Sequence, residues 1–169
     1  FLSKMSDDAA STTITNEEPI DFTLPLAKHN IRVESYRGEQ QLDAIRKLID
    51  ADLSEPYSVY TFRFFINDWP FLTFCAFDES DEMIGVVVNK ISQHRFGKRG
   101  YIGMLAVDPK HRHKGIGKAL VCRAIQEMKN RGCAEVTLET ELTNVKAMSL
   151  YLRLGFLKDR RLTRYYFNG

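Results

Sequence analysis

Apolar residues along the chain recur at two spacings, one typical of helices and one typical of strands. The helical spacing predicts helices over residues 39–53, 59–67, 115–131 and 144–154. Alternating or continuous apolar runs predict strands over residues 31–36, 71–77, 83–90, 100–107, 134–139 and 156–167. Strands and helices mix in an irregular order, with two strand–helix units after residue 100. This pattern favours an α/β domain with a mixed sheet.

Residues 1–30 differ from the rest of the 169-residue chain. They lack a sustained apolar period and are rich in Ser, Thr, Asp and Glu, so we expect a flexible acidic segment with some order near residues 22–26. Residues 31–169 are long enough for one domain with a single core. The first 30 residues carry a net charge of −3 and the remainder +5. A mildly basic domain suits an anionic ligand, although charges scattered over a solvated surface would give the same total.

The total charge of +2 is too small to predict nucleic-acid binding. The three cysteines, Cys75, Cys122 and Cys133, are odd in number and form no Cys-x-x-Cys pair, so neither a disulfide framework nor a zinc cluster is expected. We expect Cys75 and Cys122 to be buried thiols. No apolar run approaches 18 residues and the start does not look like a signal peptide, so a cytoplasmic, reducing location is the default expectation, without membrane contact.

The most informative stretch is residues 101–117, YIGMLAVDPKHRHKGIG. A predicted strand ends at Val107, a basic run follows, and a glycine pair opens a long helix. Backbone N–H groups at a helix start lack intrahelical partners, and the helix dipole favours negative charge there. The glycines allow phosphates to approach closely, and Arg112 and Lys114 add positive charge. The stretch lacks the Gly-Lys-Ser/Thr of a P-loop and the third glycine of the dinucleotide fingerprint. It predicts an anion-binding loop, or else a solvated basic turn.

The spacing Arg112-x-x-Gly115-x-Gly117 resembles the pyrophosphate loop of the GNAT acetyltransferase superfamily. Runs at residues 52–58, 99–107, 138–141 and 164–168 are similar to the catalytic-subunit family of the N-terminal acetyltransferase C enzymes. The resemblance covers residues 31–169. It implies the GNAT fold, which is an α/β fold with a mixed, mostly antiparallel central sheet, flanking helices and splayed central strands. That family continues past residue 169 into a further strand, so we expect the final strand to be missing here.

The resemblance also implies an activity. It implies acetyl-CoA as cosubstrate, without a metal, and acetyl transfer to the α-amino group of nascent chains that begin with Met and a bulky apolar residue (Met-Leu, Met-Ile, Met-Phe or Met-Trp). The implied cofactor-binding residues are Leu105, Ala106, Val107, Arg112, His113, Lys114, Gly115, Ile116, Gly117, Lys118, Asn144 and Tyr151. Among these, the backbone of residues 105–107 would bind the pantetheine amides, as an unpaired strand edge can.

Three residues are implied in the chemistry. The resemblance marks Glu139 as the general base, or else it is only a solvated strand carboxylate. A weak base acting through water suffices, because a free α-amino group has a pKa of about 7.7–8.0. Glu141 shares the face of Glu139 at a spacing of two and is the rival base. Tyr151 is the candidate acid for the leaving sulfur, or it only packs in the core. Tyr101 would help to place a water molecule or the peptide, or it also only packs.

The implied substrate-binding residues are Leu53, Glu55, Pro56, Tyr57, Tyr101, Glu139, Tyr165 and Tyr166. Leu53 and Tyr57 would wall an apolar pocket, and Glu55 would accept a hydrogen bond from the peptide or pair with its charge. The alternative is that Pro56 only ends a helix and the tyrosines only pack. His111 and His113 have no carboxylate or thiol beside them on their basic loop, so solvated side chains are expected rather than a metal site.

The expected partners are nascent N-termini, two auxiliary subunits and, through these, the ribosome, without direct nucleic-acid contact. Two other functions stay open at this point. The chain could acetylate lysine side chains or small amines, or it could be a non-catalytic domain that binds acyl-CoA. The aromatic segment 59–65 with Trp69 could belong either to the core or to a partner surface.

Overall fold

The computed structural model describes residues 10–13, 25–52 and 58–162 of the chain. Its strands are β1 (Ala10–Thr13), β2 (Arg32–Ser35), β3 (Phe74–Phe77), β4 (Met83–His94), β5 (Gly97–Val107), β6 (Cys133–Thr137), β7 (Glu139–Thr140) and β8 (Leu157–Arg161). Its α-helices are α1 (Leu42–Asp52), α2 (Val59–Asp68), α3 (Ile116–Asn130) and α4 (Val145–Arg153). Short 3-10 turns lie at Pro25–His29, Glu39–Gln41, Pro70–Leu72 and Pro109–His111.

Five strands form the central sheet, in the order β2-β3-β4-β5-β6. The first four are antiparallel neighbours, and β6 joins β5 in parallel. The predicted α/β fold with a mixed, mostly antiparallel sheet is therefore confirmed. A second sheet has the order β7-β1-β8, and both of its pairings are antiparallel.

Helices cover both faces of the central sheet, so its strands are apolar on both sides. On β4, Val86 and Val88 belong to a core cluster with α1 and α2, whereas Val87 belongs to a cluster built around α3. This alternation follows from the period of two along a strand. We call the two sides the α1–α2 face and the α3 face. No helix in the described ranges is long and apolar enough to cross a membrane.

The helix ends follow from local sequence. The Ser58 hydroxyl accepts a hydrogen bond from the Thr61 N–H at 3.3 Å and caps α2. Asn144 caps α4 in the same way, since its Oδ1 accepts from the Ala147 N–H at 3.1 Å. Gly132 follows the end of α3 with φ of +79°, a left-handed conformation that suits glycine. The four predicted helices are thus confirmed, and none of their ends differs from the prediction by more than three residues.

Three predicted elements differ from the structure. Residues 10–13 form β1 although the surrounding sequence predicted a flexible segment, because their backbone bridges the edges of β7 and β8. The predicted strand 71–77 begins only at Phe74, since Pro70 starts a 3-10 turn instead. The hairpin of β4 and β5 is longer than predicted and extends to His94 and Gly97.

The outcomes for the remaining expectations are mixed. Cys75 and Cys122 are buried, as predicted. Leu26, which is part of the 3-10 turn at Pro25–His29, is also buried. Burial raises the pKa of the Cys75 thiol to about 12. The predicted last strand, 156–167, is seen over Leu157–Arg161, and residues 163–169 lie outside the described residues.

Candidate functional site

The central sheet opens between β5 and β6. Their parallel pairing stops at Tyr101 and Thr137. Strand β5 continues to Val107 with β4 as its only partner among the described residues, while the chain after β6 enters β7 and pairs with β1. The two strands therefore separate, as the predicted splay requires. The backbone of Leu105, Ala106 and Val107, predicted to bind the pantetheine amides, lies along the open edge of β5.

A β-bulge on β5 lies next to this opening. Val88 pairs with Met104 but Asn89 pairs with Ile102, which leaves Gly103 without an opposite residue. A Cβ atom at Gly103 would lie 2.8 Å from Cε1 of Phe65 on α2. The Phe65 ring therefore rests directly on the backbone of the bulge, and only glycine leaves room for it.

The basic loop between β5 and α3 is held by its own side chains. Asp108 accepts a hydrogen bond from the Lys110 N–H at 2.7 Å and lies 3.7 Å from Nδ1 of His111. The Arg112 Nε donates to the Val107 carbonyl at 3.1 Å. His113 and Gly115, two positions apart, both have positive φ, of +64° and +83°. These turns bring the basic run of residues 110–114 to the start of α3.

The start of α3 fits a phosphate-bearing ligand. Gly115 is the N-cap and offers no side-chain acceptor to the first N–H groups of the helix. A Cβ at Gly115 would meet no atom within 4 Å, and a Cβ at Gly117 would meet only ordinary contacts, the nearest being 3.4 Å from Leu150. Protein packing therefore does not require glycine at 117. Residues 109–126 contain no Asp or Glu, so the potential here is positive.

The Glu139 carboxylate lies at the opening and is only partly satisfied. Val136 and Leu138 belong to the α3 cluster, so the alternating Thr137 and Glu139 point to the α1–α2 face, which Tyr101 shares. The Oε2 atom of Glu139 is buried and has no hydrogen-bond partner among the described residues. Such orphaned buried oxygens are rare in native proteins and point to a missing partner, such as a ligand or a water molecule.

The rival carboxylate, Glu141, lies in a different setting. It follows β7 in the turn before α4, where its backbone carbonyl accepts from the Asn144 N–H at 3.0 Å. Its Oε2 accepts from the Thr143 hydroxyl at 3.2 Å. Glu141 thus helps to build the turn, whereas Glu139 presents a buried oxygen without a partner among the described residues.

Comparison with known proteins decides the family. The profile of the acetyltransferase (GNAT) family matches residues 42–156. The chain belongs to this family. N-alpha-acetyltransferase 30 of Xenopus laevis is 52% identical over 140 residues, which cover 82% of this chain and 51% of that protein. N-alpha-acetyltransferase 30 of Dictyostelium discoideum is 42% identical over 162 residues, which cover 95% of this chain and 87% of that protein.

A solved structure agrees with these relatives. The crystal structure of the NatC complex bound to Gag peptide and CoA contains a chain that is 46% identical, with a TM-score of 0.79. The match covers 82% of this chain and 92% of that one. This GNAT chain spans about half or less of the length of the three vertebrate relatives it matches. The predicted resemblance to the family of N-terminal acetyltransferase C catalytic subunits is thereby confirmed.

Two tyrosines of this GNAT domain have contrasting surroundings. Tyr101 is half-buried and stacks on Phe65, with ring centroids 6.4 Å apart and planes inclined by 26°. Tyr151 on α4 is 8% exposed, and its ring makes an edge contact with Phe156 at 5.6 Å. The packing predicted as the alternative for both residues is observed, and their catalytic roles stay predictions. The helix cap engages the Oδ1 of Asn144, so its Nδ2 is the group that faces away from the cap.

Some of the predicted residues lie outside the part of the chain that the structure describes. Leu53, Glu55, Pro56, Tyr57, Tyr165 and Tyr166 lie outside the described residues. Within the described part of the chain, His111 and His113 belong to no group of three or more His, Cys, Asp or Glu side chains that could hold a metal ion. In the aromatic segment on α2, Phe62 and Phe65 belong to the core, whereas Tyr60 and Phe64 are exposed, and a partner surface there stays a prediction.

Two features of the site are not specified by the local sequence. One is the bulge at Gly103 and the other is Lys90, whose side chain lies among the rings of Phe64, Phe65 and Tyr101. Both depend on the register of β4 against β5. No local pattern in the sequence specifies which residues of two strands face each other.

Proposed function

We propose that this chain is the catalytic domain of a C-type N-terminal acetyltransferase. It transfers an acetyl group from acetyl-CoA to the α-amino group of proteins that begin with Met followed by a bulky apolar residue. The observation that carries the proposal is the buried Oε2 of Glu139, without a partner among the described residues, at the point where β5 and β6 separate. The similarity to N-alpha-acetyltransferase 30 proteins supports the assignment to α-amines.

The cofactor-binding part of the proposal rests on backbone groups. Acetyl-CoA supplies, when bound, an acetyl group activated as a thioester. The N–H groups at the start of α3 bind the diphosphate, with Arg112, Lys114 and Lys118 adding charge. The open edge of β5 over residues 105–107 orients the pantetheine amides, and the Nδ2 of Asn144 donates to the same arm.

Glu139 handles the proton of the acceptor. An α-ammonium group with a pKa of about 7.7–8.0 must lose a proton before its nitrogen can attack. The Oε2 of Glu139 accepts that proton, either directly or through one water molecule. Its burial on the α1–α2 face means that the acceptor approaches from this face, opposite α3. Glu141 is a structural residue of the turn in this proposal, not a base.

The two tyrosines complete the proposed chemistry. Tyr101 lies on the same face as Glu139, where its hydroxyl orients the acceptor or the bridging water. Tyr151 lies on α4, the helix whose Leu150 approaches Gly117, and its hydroxyl donates a proton to the leaving sulfur. Both rings are held by packing, which reduces the conformational freedom that catalysis would otherwise have to remove.

The substrate and partner assignments extend the proposal further. In this proposal Leu53 and Tyr57 would wall the pocket for the second residue of the acceptor, Tyr165 and Tyr166 would cover its amino terminus, and Glu55 would accept a hydrogen bond from it or pair with its charge. The solved NatC complex supports a role within a multi-subunit assembly. We propose that this chain works in the cytoplasm with two auxiliary subunits, near the ribosome.

The test is acetyl transfer to a peptide panel. It compares termini beginning Met-Leu, Met-Ile, Met-Asp and Ser-Ala, together with an N-terminally blocked peptide that carries one lysine. Selective transfer to Met-Leu and Met-Ile is expected. Transfer to the blocked lysine peptide instead would favour a side-chain acetyltransferase. Binding of acetyl-CoA without transfer to any amine would favour a non-catalytic acyl-CoA-binding domain.

A matched pair of variants tests the base. Glu139→Gln should lower kcat about 100-fold or more, since 100-fold is the lower end of the usual contribution of a positioned base, with the KM for acetyl-CoA unchanged. Glu141→Gln is the control because it removes a carboxylate two residues away, and it should keep kcat within about twofold. A larger loss in Glu141→Gln than in Glu139→Gln would reverse the assignment of the base.

A further inference from the structure

Lys90 lies among three aromatic rings beside the proposed site. Its Nζ atom is 5.0 Å from the ring centroid of Tyr101, 5.4 Å from that of Phe65 and 5.8 Å from that of Phe64. All three distances fall within the range of cation–π attraction, in which the ammonium group is drawn to the negative face of a ring. The contact with Tyr101 is the shortest of the three.

The rings are the partners that the structure gives to this charge. Lys90 is half-buried, yet no carboxylate within the described ranges forms an ion pair with it. A partly desolvated ammonium group without a carboxylate is costly, and the ring faces offset part of that cost. The aromatic contacts therefore hold the side chain in one place, and the ammonium in turn holds the rings.

The register of the sheet places this contact on the catalytic face. Lys90 lies directly opposite Tyr101 in the antiparallel pair of β4 and β5, so the two side chains share a face. Tyr101 in turn pairs with Thr137, which shares its face with Glu139. Lys90, Tyr101 and Thr137 thus form one row across the α1–α2 face, and Glu139 lies two residues beyond Thr137, where β5 and β6 have separated.

The bulge fixes the other side of the Tyr101 ring. Phe65 rests on the backbone of Gly103 and stacks on Tyr101 at 6.4 Å. Tyr101 is therefore in contact with a ring that cannot approach the sheet more closely, and it also lies under the Lys90 ammonium. These contacts restrict the tilt of the phenol and with it the position of its hydroxyl group.

We infer that Lys90 is a positioning residue for acetyl transfer, which acts by holding the Tyr101 phenol through its positive charge. The inference rests on the proposed function, because that function gives the Tyr101 hydroxyl its role beside Glu139. It assigns to Lys90 no contact with the acceptor or with acetyl-CoA. A residue of this kind changes turnover through its neighbour, so its effect should vanish when the neighbour's hydroxyl is absent.

The experiment is a double-mutant cycle with a charge-retaining control. Lys90→Met keeps the length and apolar stem but removes the charge, and Lys90→Arg keeps the charge. Lys90→Met should lower kcat for a Met-Leu peptide about 5- to 10-fold, with the KM for acetyl-CoA unchanged, and Lys90→Arg should stay within about twofold of the wild type. In a Tyr101→Phe background, Lys90→Met should add less than a twofold loss.

Three results would overturn the inference. Equal losses in Lys90→Met and Lys90→Arg would show that shape matters rather than charge. An equal loss from Lys90→Met with and without the Tyr101 hydroxyl would show that Lys90 acts elsewhere. A raised KM for acetyl-CoA would move Lys90 to the cofactor. Melting temperatures of all variants show whether each protein is folded, and a Lys90→Met protein that does not fold is replaced by Lys90→Gln.

A readout independent of activity separates this inference from the proposed function. In protein with 13C-labelled tyrosine, the ring signals of Tyr101 are identified by their absence in Tyr101→Phe. They should shift and broaden in Lys90→Met and stay near the wild-type positions in Lys90→Arg. A wild-type protein that acetylates no peptide would refute the proposed function. Unchanged Tyr101 signals in Lys90→Met would refute the positioning role whatever the activity.

Discussion

Replacing Gly103 with alanine tests whether the packing of Phe65 on the bulge controls catalysis. The new Cβ would lie 2.8 Å from Cε1 and 2.9 Å from Cζ of Phe65. An ordinary contact needs 3.4 Å or more, so the ring must retreat by about 0.6 Å. Phe65 is buried, and overpacking of this kind costs about 1–3 kcal/mol. For a domain of this size we expect the melting temperature to fall by about 3–10 °C.

The same displacement should disturb the chemistry, because Phe65 stacks on Tyr101 and lies against Lys90. Small misplacements of positioning groups lower rates steeply, and we expect kcat to fall about tenfold. The assay combines thermal unfolding with steady-state acetyl transfer to a Met-Leu peptide, measured well below the melting temperature of each variant.

Gly85→Ala is the matched control for this prediction. Its Cβ would lie 3.0 Å from Ile116 and 3.2 Å from Leu120, so it overpacks the α3 face rather than the α1–α2 face. It should lower the melting temperature while kcat stays within about twofold. Equal losses of turnover in both variants would mean that stability, not the position of Phe65, limits the rate. A Gly103→Ala protein with wild-type stability would refute the packing argument itself.

Three further predictions test other parts of the structure. Gly117→Ala should leave the melting temperature unchanged or slightly raised, because the nearest contact of the new Cβ is an ordinary 3.4 Å. The same variant should raise the KM for acetyl-CoA about tenfold if the diphosphate approaches that backbone. An unchanged KM would remove Gly117 from the cofactor site. Asn144→Ala should destabilise the protein by about 1 kcal/mol through loss of the α4 cap, whereas Asn144→Asp should keep the cap; equal melting temperatures of the alanine variant and the wild type would contradict this. The buried Cys75 thiol has its pKa raised from 9.0 to about 12, so the unfolded chain loses this proton at lower pH than the folded protein does. The contribution of the Cys75 thiol to stability is therefore complete below pH 9 and is lost as the pH rises toward 12. Over that interval, the unfolding free energy of Cys75→Ala should depend less on pH than that of the wild type.

The parts of the site that the sequence could predict are those specified locally. The loop before α3 was predictable because a turn-forming Asp108-Pro109 pair, a basic run and two glycines follow one another without a gap. For the same reason the sequence limits the cap of α4 to Thr143 or Asn144, and the structure assigns it to Asn144, whose partner is three residues away. The choice between Glu139 and Glu141 was not predictable, because both satisfy a period of two and only tertiary packing leaves an oxygen of Glu139 buried without a partner among the described residues.

The other features of the fold and of the site depend on pairing between residues that are distant in the sequence. The bulge at Gly103 exists only in relation to β4, and a shift of one residue would move Lys90 away from Tyr101. The strand at residues 10–13 carries no apolar alternation of its own, and its partners are more than 120 residues away along the chain. Local propensity cannot specify such contacts, because the preference of a strand is decided by the edge that it meets.

That distant pairing has a consequence for the order of folding. The β1 strand pairs with Thr140 on one side and with Arg161 on the other, so the second sheet can close only after almost the whole domain has been synthesised. Contacts of such large sequence separation slow folding, because a long loop must be closed, at a cost in entropy, before any stabilising strand pair can form. We therefore expect the hairpin of β4 and β5 with α3 to form early and the β7-β1-β8 sheet to form last. Pulsed hydrogen exchange during refolding would observe this as late protection of the amides of residues 10–13 and 157–161.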